Sequence, residues 1–153
     1  MFSFFGTKES NELDSFRQEQ LEKINSYRKQ HGSKPLVLDK TLNAYAQEWS
    51  ENLAKSGRLA HRPSNKYGEN IAMASDPLHH DAAKMWYDEY PQYKFNQPDN
   101  NYGALHFSQV VWKACTKLGI GLAKCNDGTY IVVANFDPKG NILGQFKENV
   151  QDK

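Results

Sequence analysis

The sequence predicts an α+β layer fold, and three observations carry the prediction. Apolar residues recur at helical spacing through the first third of the chain. The period changes to two after residue 117, and a strong turn signal, Asn126-Asp127-Gly128, splits that last region into a hairpin. Helices first and a hairpin afterwards is the pattern of helices packed on an antiparallel sheet. A length of 153 residues suits one domain with a proper core.

The elements follow in order. Leu13, Phe16, Leu21, Ile24 and Tyr27 form one stripe, which predicts a helix over 13–30 with Ser10 or Asn11 as its cap and Gly32 past its end. Pro35-Leu36-Val37-Leu38 reads as a short link. Asp39 caps a second helix bearing Leu42, Tyr45, Ala46, Trp49 and Leu53, stopped near Gly57. Residues 58–75 have no clean period and contain Pro63 and Gly68, so they read as a structured loop. Asp76-Pro77 predicts the start of a third helix, which Pro91 ends near Tyr90. Residues 91–104 read as a long loop, and loops of that length tend to serve function. A fourth helix is expected from His106 to Cys115, with Phe107, Val110, Val111 and Ala114 apolar. The strands are Leu118–Ala123 and Tyr130–Phe136, the second closed by Asp137-Pro138-Lys139-Gly140.

Charge narrows the function classes. Nineteen basic and eighteen acidic side chains give a net charge of +1, and no basic run stands out. That balance offers no global field for nucleic acid, so no nucleic-acid partner is expected. The start, Met1-Phe2-Ser3-Phe4-Phe5, lacks a basic region and is shorter than the ~7–15 apolar residues of a signal peptide. No window approaches the ~18 apolar residues of a membrane span, and Phe2 in place of Gly excludes N-myristoylation. The aromatic cluster reads either as a locally packed terminus or as a membrane-touching arm. Cys115 and Cys125 allow at most one disulfide. With no signal peptide they point to a reducing compartment and to inert thiols.

Chemistry-bearing residues are sparse. Glu89 falls on the same helical face as Ala82, Met85 and Trp86. Burying a lone carboxylate is costly, so Glu89 is either paired, metal-bound, facing a cleft, or at a frayed helix end in water. His106 opens the fourth helix, and His61 and Glu69 flank the Pro63 loop, with no spacing rule joining them. His79-His80 is followed by Asp81 and does not make a zincin pattern. No G-x-S-x-G elbow or phosphate-cradling loop is present.

Four segments carry a family resemblance. His106-Phe107-Ser108-Gln109-Val110-Val111-Trp112 and Ile131-Val132-Val133-Ala134-Asn135-Phe136-Asp137-Pro138-Lys139-Gly140-Asn141-Ile142 resemble the two signatures of the CAP superfamily (cysteine-rich secretory, antigen 5 and pathogenesis-related proteins). Gly68-Glu69-Asn70-Ile71 and Trp86-Tyr87-Asp88-Glu89 match two further elements of it, in the right order. The resemblance implies an α-β-α sandwich with a central antiparallel sheet over residues 12–146, with 1–11 as an arm and 147–153 as a tail. It implies a cavity of His61, Glu69, Glu89 and His106, with His61 and His106 as ligands of Zn²⁺ or another divalent cation and the glutamates close by.

Three departures stand out. Ala134 and Ile120 occupy the positions of the usual sheet disulfide, and Arg62 replaces the asparagine that commonly follows the first cavity histidine. The usual N-terminal lipid anchor of the Golgi-associated plant pathogenesis-related subgroup, which the chain resembles most, is also missing. That subgroup implies a peripheral intracellular protein on Golgi or other endomembranes, binding anionic lipid or sterol and forming a homodimer. Export by an unconventional route is the alternative location. The function implied is non-enzymatic binding. The alternative is a metal-dependent peptidase or esterase using Glu69 or Glu89 as base, or Ser75, which aligns with a serine near the cavity in that subgroup, as nucleophile.

Overall fold

The computed structural model describes residues 7–76 and 81–153, with side chains from Ser10 onward. In chain order the elements are α1 (Thr7–Gln30), β1 (Val37–Leu38), α2 (Lys40–Ser56), β2 (Gly68–Ala74), α3 (Ala82–Tyr87), α4 (Leu105–Val111), β3 (Lys117–Lys124), β4 (Tyr130–Asp137) and α5 (Phe146–Asn149).

Helix α1 buries Leu13, Phe16 and Ile24 as its stripe requires. It begins at Thr7, so Ser10 and Asn11 lie inside it rather than capping it. A polar first turn is invisible to apolar periodicity. Its end is a paired backbone lock: Ser33 N–H donates to Arg28 O (2.9 Å) and Gly32 N–H to Lys29 O (3.3 Å), with Gly32 at φ 74°. Helix α2 begins where Asp39 accepts from Leu42 N–H (2.9 Å) and stops at Gly57, φ 71°.

Two strands were hidden from the sequence. The link after α1 contains β1, which pairs parallel with β3 through Val37 and Leu38. Two residues, one of them 65% exposed, show no period. The expected loop over 58–75 holds β2, antiparallel to β4 from Gly68↔Phe136 to Ala74↔Tyr130. Its buried face is Gly68, Asn70, Ala72 and Ala74, too small and polar to register as an apolar alternation.

The sheet order is β1-β3-β4-β2, with the three long strands antiparallel. Strand β3 buries both faces. Its Leu118, Ile120 and Leu122 join Phe16, Ile24, Phe107 and Val110 on the side of α1, α3 and α4, while Ala123 joins Ala46 and Leu53 of α2 on the other. Glycines set that second contact. A β-carbon at Gly119 would lie 2.2 Å from the Leu42 backbone, and one at Gly121 2.5 Å from that of Ala46. The fold is therefore an α-β-α sandwich.

The third and fourth helices are shorter than their patterns suggest. Asp76 precedes no helix among the described residues; Asp81 caps α3 instead, accepting from Lys84 N–H. Pro77 and the His79-His80 pair lie outside the described residues, as does the Met1–Phe5 cluster. Helix α3 ends at Tyr87, so Glu89 sits in the turn before a 3₁₀ segment at Tyr90–Gln92. Met85, expected on the apolar face, is 44% exposed. Helix α4 stops at Val111, leaving Ala114 and Cys115 outside it. Buried Arg28 explains the stop: its Nη1 donates to Val110 O (3.0 Å) and Trp112 O (2.8 Å), and its Nη2 to Cys115 O (3.1 Å). One guanidinium thus satisfies three carbonyls at and just beyond the end of α4. The long loop carries a second 3₁₀ turn, Tyr102–Ala104, leading into α4. After β4, α5 docks Phe146 edge-on to Trp112 (centroids 5.0 Å apart) and buries Val150.

Candidate functional site

Two histidine–carboxylate pairs define the site. Glu69, at the start of edge strand β2, accepts from His61 Nδ1 (2.8 Å) and from the Arg62 amide (3.1 Å) through one oxygen, and from Asn65 Nδ2 (2.9 Å) through the other. Glu89 accepts from the His106 and Phe107 amides (2.9 and 3.0 Å) through one oxygen and from His106 Nδ1 (2.7 Å) through the other. Those two amides belong to the first turn of α4, where helical N–H groups lack internal acceptors. Glu89 therefore caps α4 from a different element.

Both pairs fix a tautomer. In the neutral imidazole a carboxylate on Nδ1 selects the Nδ1–H tautomer, which leaves Nε2 with its lone pair. Among the described residues neither Nε2 has a hydrogen-bond partner.

Arg62 holds the His61 loop. Its guanidinium lies 3.7 Å from the Tyr45 ring centroid, donates to Tyr45 O (2.9 Å) and pairs with Glu48 on α2. The asparagine expected here would be too short for that reach, so the departure from the family pattern adds a clamp rather than removing one.

His61, Glu69 and His106 line a single cleft of about 450 Å³. Asn70, Gln109 and Lys139 also face it. Glu89 bonds His106 and is not one of the residues that line this cleft. Ser75 is elsewhere: it is exposed just beyond the far end of β2, six residues from Glu69, which along a strand is about 20 Å. Cys115 and Cys125 are free and buried, and burial pushes the Cys115 thiol up to about 12, as an inert thiol requires. Sequence reasoning missed Asn65 and Asn70 as site residues. Asn70 lies in the Gly68–Ile71 element, so an amide directly after Glu69 was the available signal.

Comparison with known proteins follows the same elements. The family model described as CAP, the cysteine-rich secretory protein family, matches residues 21–136. The chain belongs to the CAP family. Its relatives include Golgi-associated plant pathogenesis-related protein 1 of Homo sapiens, 43% identical over 141 residues, covering 88% of this chain and 92% of that one. Among solved CAP-like structures, BmVAL-1 superposes with a TM-score of 0.72 and 25% identity, covering 90% of this chain and 83% of its own. The crystal structure of NaASP2 with Zn²⁺ gives 0.70 and 25%, covering 90% and 85%.

The CAP cleft of this chain is lined by two imidazoles and one carboxylate. Among the described residues, no group of three or more His, Cys, Asp or Glu side chains is arranged to hold a metal ion. An imidazole backed by a carboxylate is a donor type suited to borderline divalent ions, and the cleft is lined by two of them.

Proposed function

We propose that this CAP protein is a binding module whose cleft takes Zn²⁺ or a similar divalent cation on Nε2 of His61 and His106. One observation carries the reading: two cleft-lining imidazoles each hold Nδ1 on a carboxylate, which leaves Nε2 as the nitrogen for an outside ligand. A bound cation would supply Lewis acidity there. Glu69 and Glu89 orient the two rings, and their oxygens are already engaged with N–H donors. That engagement favours binding over hydrolysis, because a general base needs an oxygen available to a substrate proton. The zinc in the crystal structure of NaASP2 is consistent with the same chemistry.

The proposal extends to peripheral association with anionic or sterol-containing Golgi or other endomembranes, and to self-association as a homodimer. The name of the human relative supports the Golgi part. No helix among the described residues is long and apolar enough to cross a membrane, so contact would be peripheral.

A zinc-titrated thermal melt tests the site. Wild type gains about 2.7 kcal/mol at a free zinc concentration a hundredfold above Kd, and the His61→Ala/His106→Ala double variant gains nothing. An unshifted wild-type melt sinks the cation reading. Flotation with phosphatidylserine vesicles and sedimentation equilibrium test the other two parts, and His106→Ala is expected to leave both unchanged.

A further inference from the structure

Two buried amide side chains open on the cleft with their carbonyl oxygens uncommitted. Asn70 and Gln109 are each 1% exposed, and both line the cavity. Each uses its amino group inside the protein. Asn70 Nδ2 donates to His106 O (3.0 Å), and Gln109 Nε2 donates to the Cys115 sulfur (3.4 Å). Cys115 in turn donates to Pro138 O (3.0 Å), so its sulfur is left to accept, which fixes which way the Gln109 amide points. Among the described residues neither Asn70 Oδ1 nor Gln109 Oε1 receives a donor.

These oxygens differ from the sealed orphans of the molecule. The Tyr93 hydroxyl and Asn135 Oδ1 are enclosed and unpartnered, whereas the Asn70 and Gln109 oxygens belong to cavity-lining residues and are not enclosed in that way. The Gln109 amide is also gripped by glycines. A β-carbon at Gly68 would fall 2.2 Å from its Oε1, and one at Gly140 2.6 Å from its Nε2. Gly68 and Asn70 share one face of β2, while His106 and Gln109 share one face of α4 at i, i+3. The Asn70–His106 bond ties β2 to α4, and both amides line the same cleft.

We propose that Asn70 and Gln109 form an acceptor subsite for a primary carboxamide, as on an Asn or Gln side chain or an amidated peptide end. Two acceptors in one cleft are the complement of the two N–H donors of one –NH₂ group. Carboxylate and phosphate are excluded there, because their oxygens would face carbonyl oxygens. An ammonium group has no acceptor to offer Lys139, which also lines the cleft, whereas a carboxamide carries its own C=O. The inference rests on reading the cleft as a binding site, but it does not require the cation.

The test is an NMR titration of the full chain in EDTA with three probes: acetyl-Ala-Ala-NH₂, its N,N-dimethylamide, and sorbitol. The primary amide is expected to shift the Gln109 side-chain resonance and the Gly68 and Gly140 amides. It should bind about tenfold or more tightly than the dimethylamide, which has no N–H to offer. Gln109→Met, which keeps the length and removes the carbonyl, should erase that discrimination. Equal binding of the two amides, no binding of either, or preference for sorbitol overturns the proposal. The contrast in the wild-type protein stands even where the variant folds poorly. The zinc melt is read separately, so failure here and failure of the cation site are distinguishable.

Discussion

The two histidine–glutamate pairs look alike chemically and are held in different ways. In the first, the imidazole is out in solvent and the carboxylate is buried: the His61 side chain is 70% exposed and that of Glu69 4%. In the second the burden is shared, at 38% for His106 and 22% for Glu89. His61 hangs from a loop and depends on Arg62, stacked on Tyr45, for its position. His106 is built into the first turn of a helix, and its carboxylate also caps that helix. The first pair is therefore a local latch, and the second is part of the frame. Disturbing the second should damage the fold, and disturbing the first should mainly damage the site.

The largest effect is expected for Glu89→Ala. It strands two helix N–H groups and the His106 ring, a loss of about 3 kcal/mol, or roughly 10 °C in melting temperature. Glu69→Ala removes a comparable number of bonds but leaves no helix end uncapped. A loss of about 2 kcal/mol is expected, and a larger loss than for Glu89→Ala in the same denaturation series would reverse the comparison. Arg62→Ala should cost about 1 kcal/mol, because its contacts are a ring face, a carbonyl and a largely exposed Glu48. Its sharper signature is weaker zinc binding through a loosened His61, beside a shift of only about 3 °C in the melting curve of the metal-free protein. His61→Ala should change metal-free stability least of all while abolishing the zinc response.

A pH measurement sharpens the comparison from behind the second pair. His31 is 2% exposed, its ring bonded to Gln151 O (2.7 Å) and to the Tyr87 hydroxyl (2.8 Å) beside the Glu89 turn. Burial lowers its pKa below the ordinary 6.5, so the folded protein disfavours the proton that the unfolded chain accepts. Its contribution to stability is present above pH 6.5 and is lost as pH falls toward the depressed value. His31→Gln is expected to flatten that acid limb in urea titrations at successive pH values. A limb as steep as wild type would assign the dependence to other groups.

The Arg62 clamp shows how partial the sequence was as a guide. Its identity marked a departure from the family pattern, but nothing in the order of residues placed Tyr45 and Glu48 of α2 against it. Asn65 gave no signal at all, because an amide in a loop has no periodicity to break. Glu89 was flagged by its neighbours Ala82 and Trp86, although the helix that was to carry it ends at Tyr87. The family motifs brought the four polar residues together. They did not reveal that Glu89 also accepts the first-turn amides of α4.

By itself the sequence determined the α+β class, the stripes of α1 and α2, the Asp39 and Gly57 limits of α2, and the β3–β4 hairpin, because repeated burial on one face and turn chemistry are local facts. Family resemblance added the sandwich and drew attention to His61, Glu69, Glu89 and His106. Only the tertiary structure decided that 68–74 is a strand, that α4 stops at Val111, and that two carboxylates lock two imidazoles. Those outcomes depend on partners distant along the chain: β4 for β2, Arg28 for the α4 carbonyls, and the α4 amides for Glu89. No local pattern records such a partner, since its geometry exists only once the sheet and helices have packed.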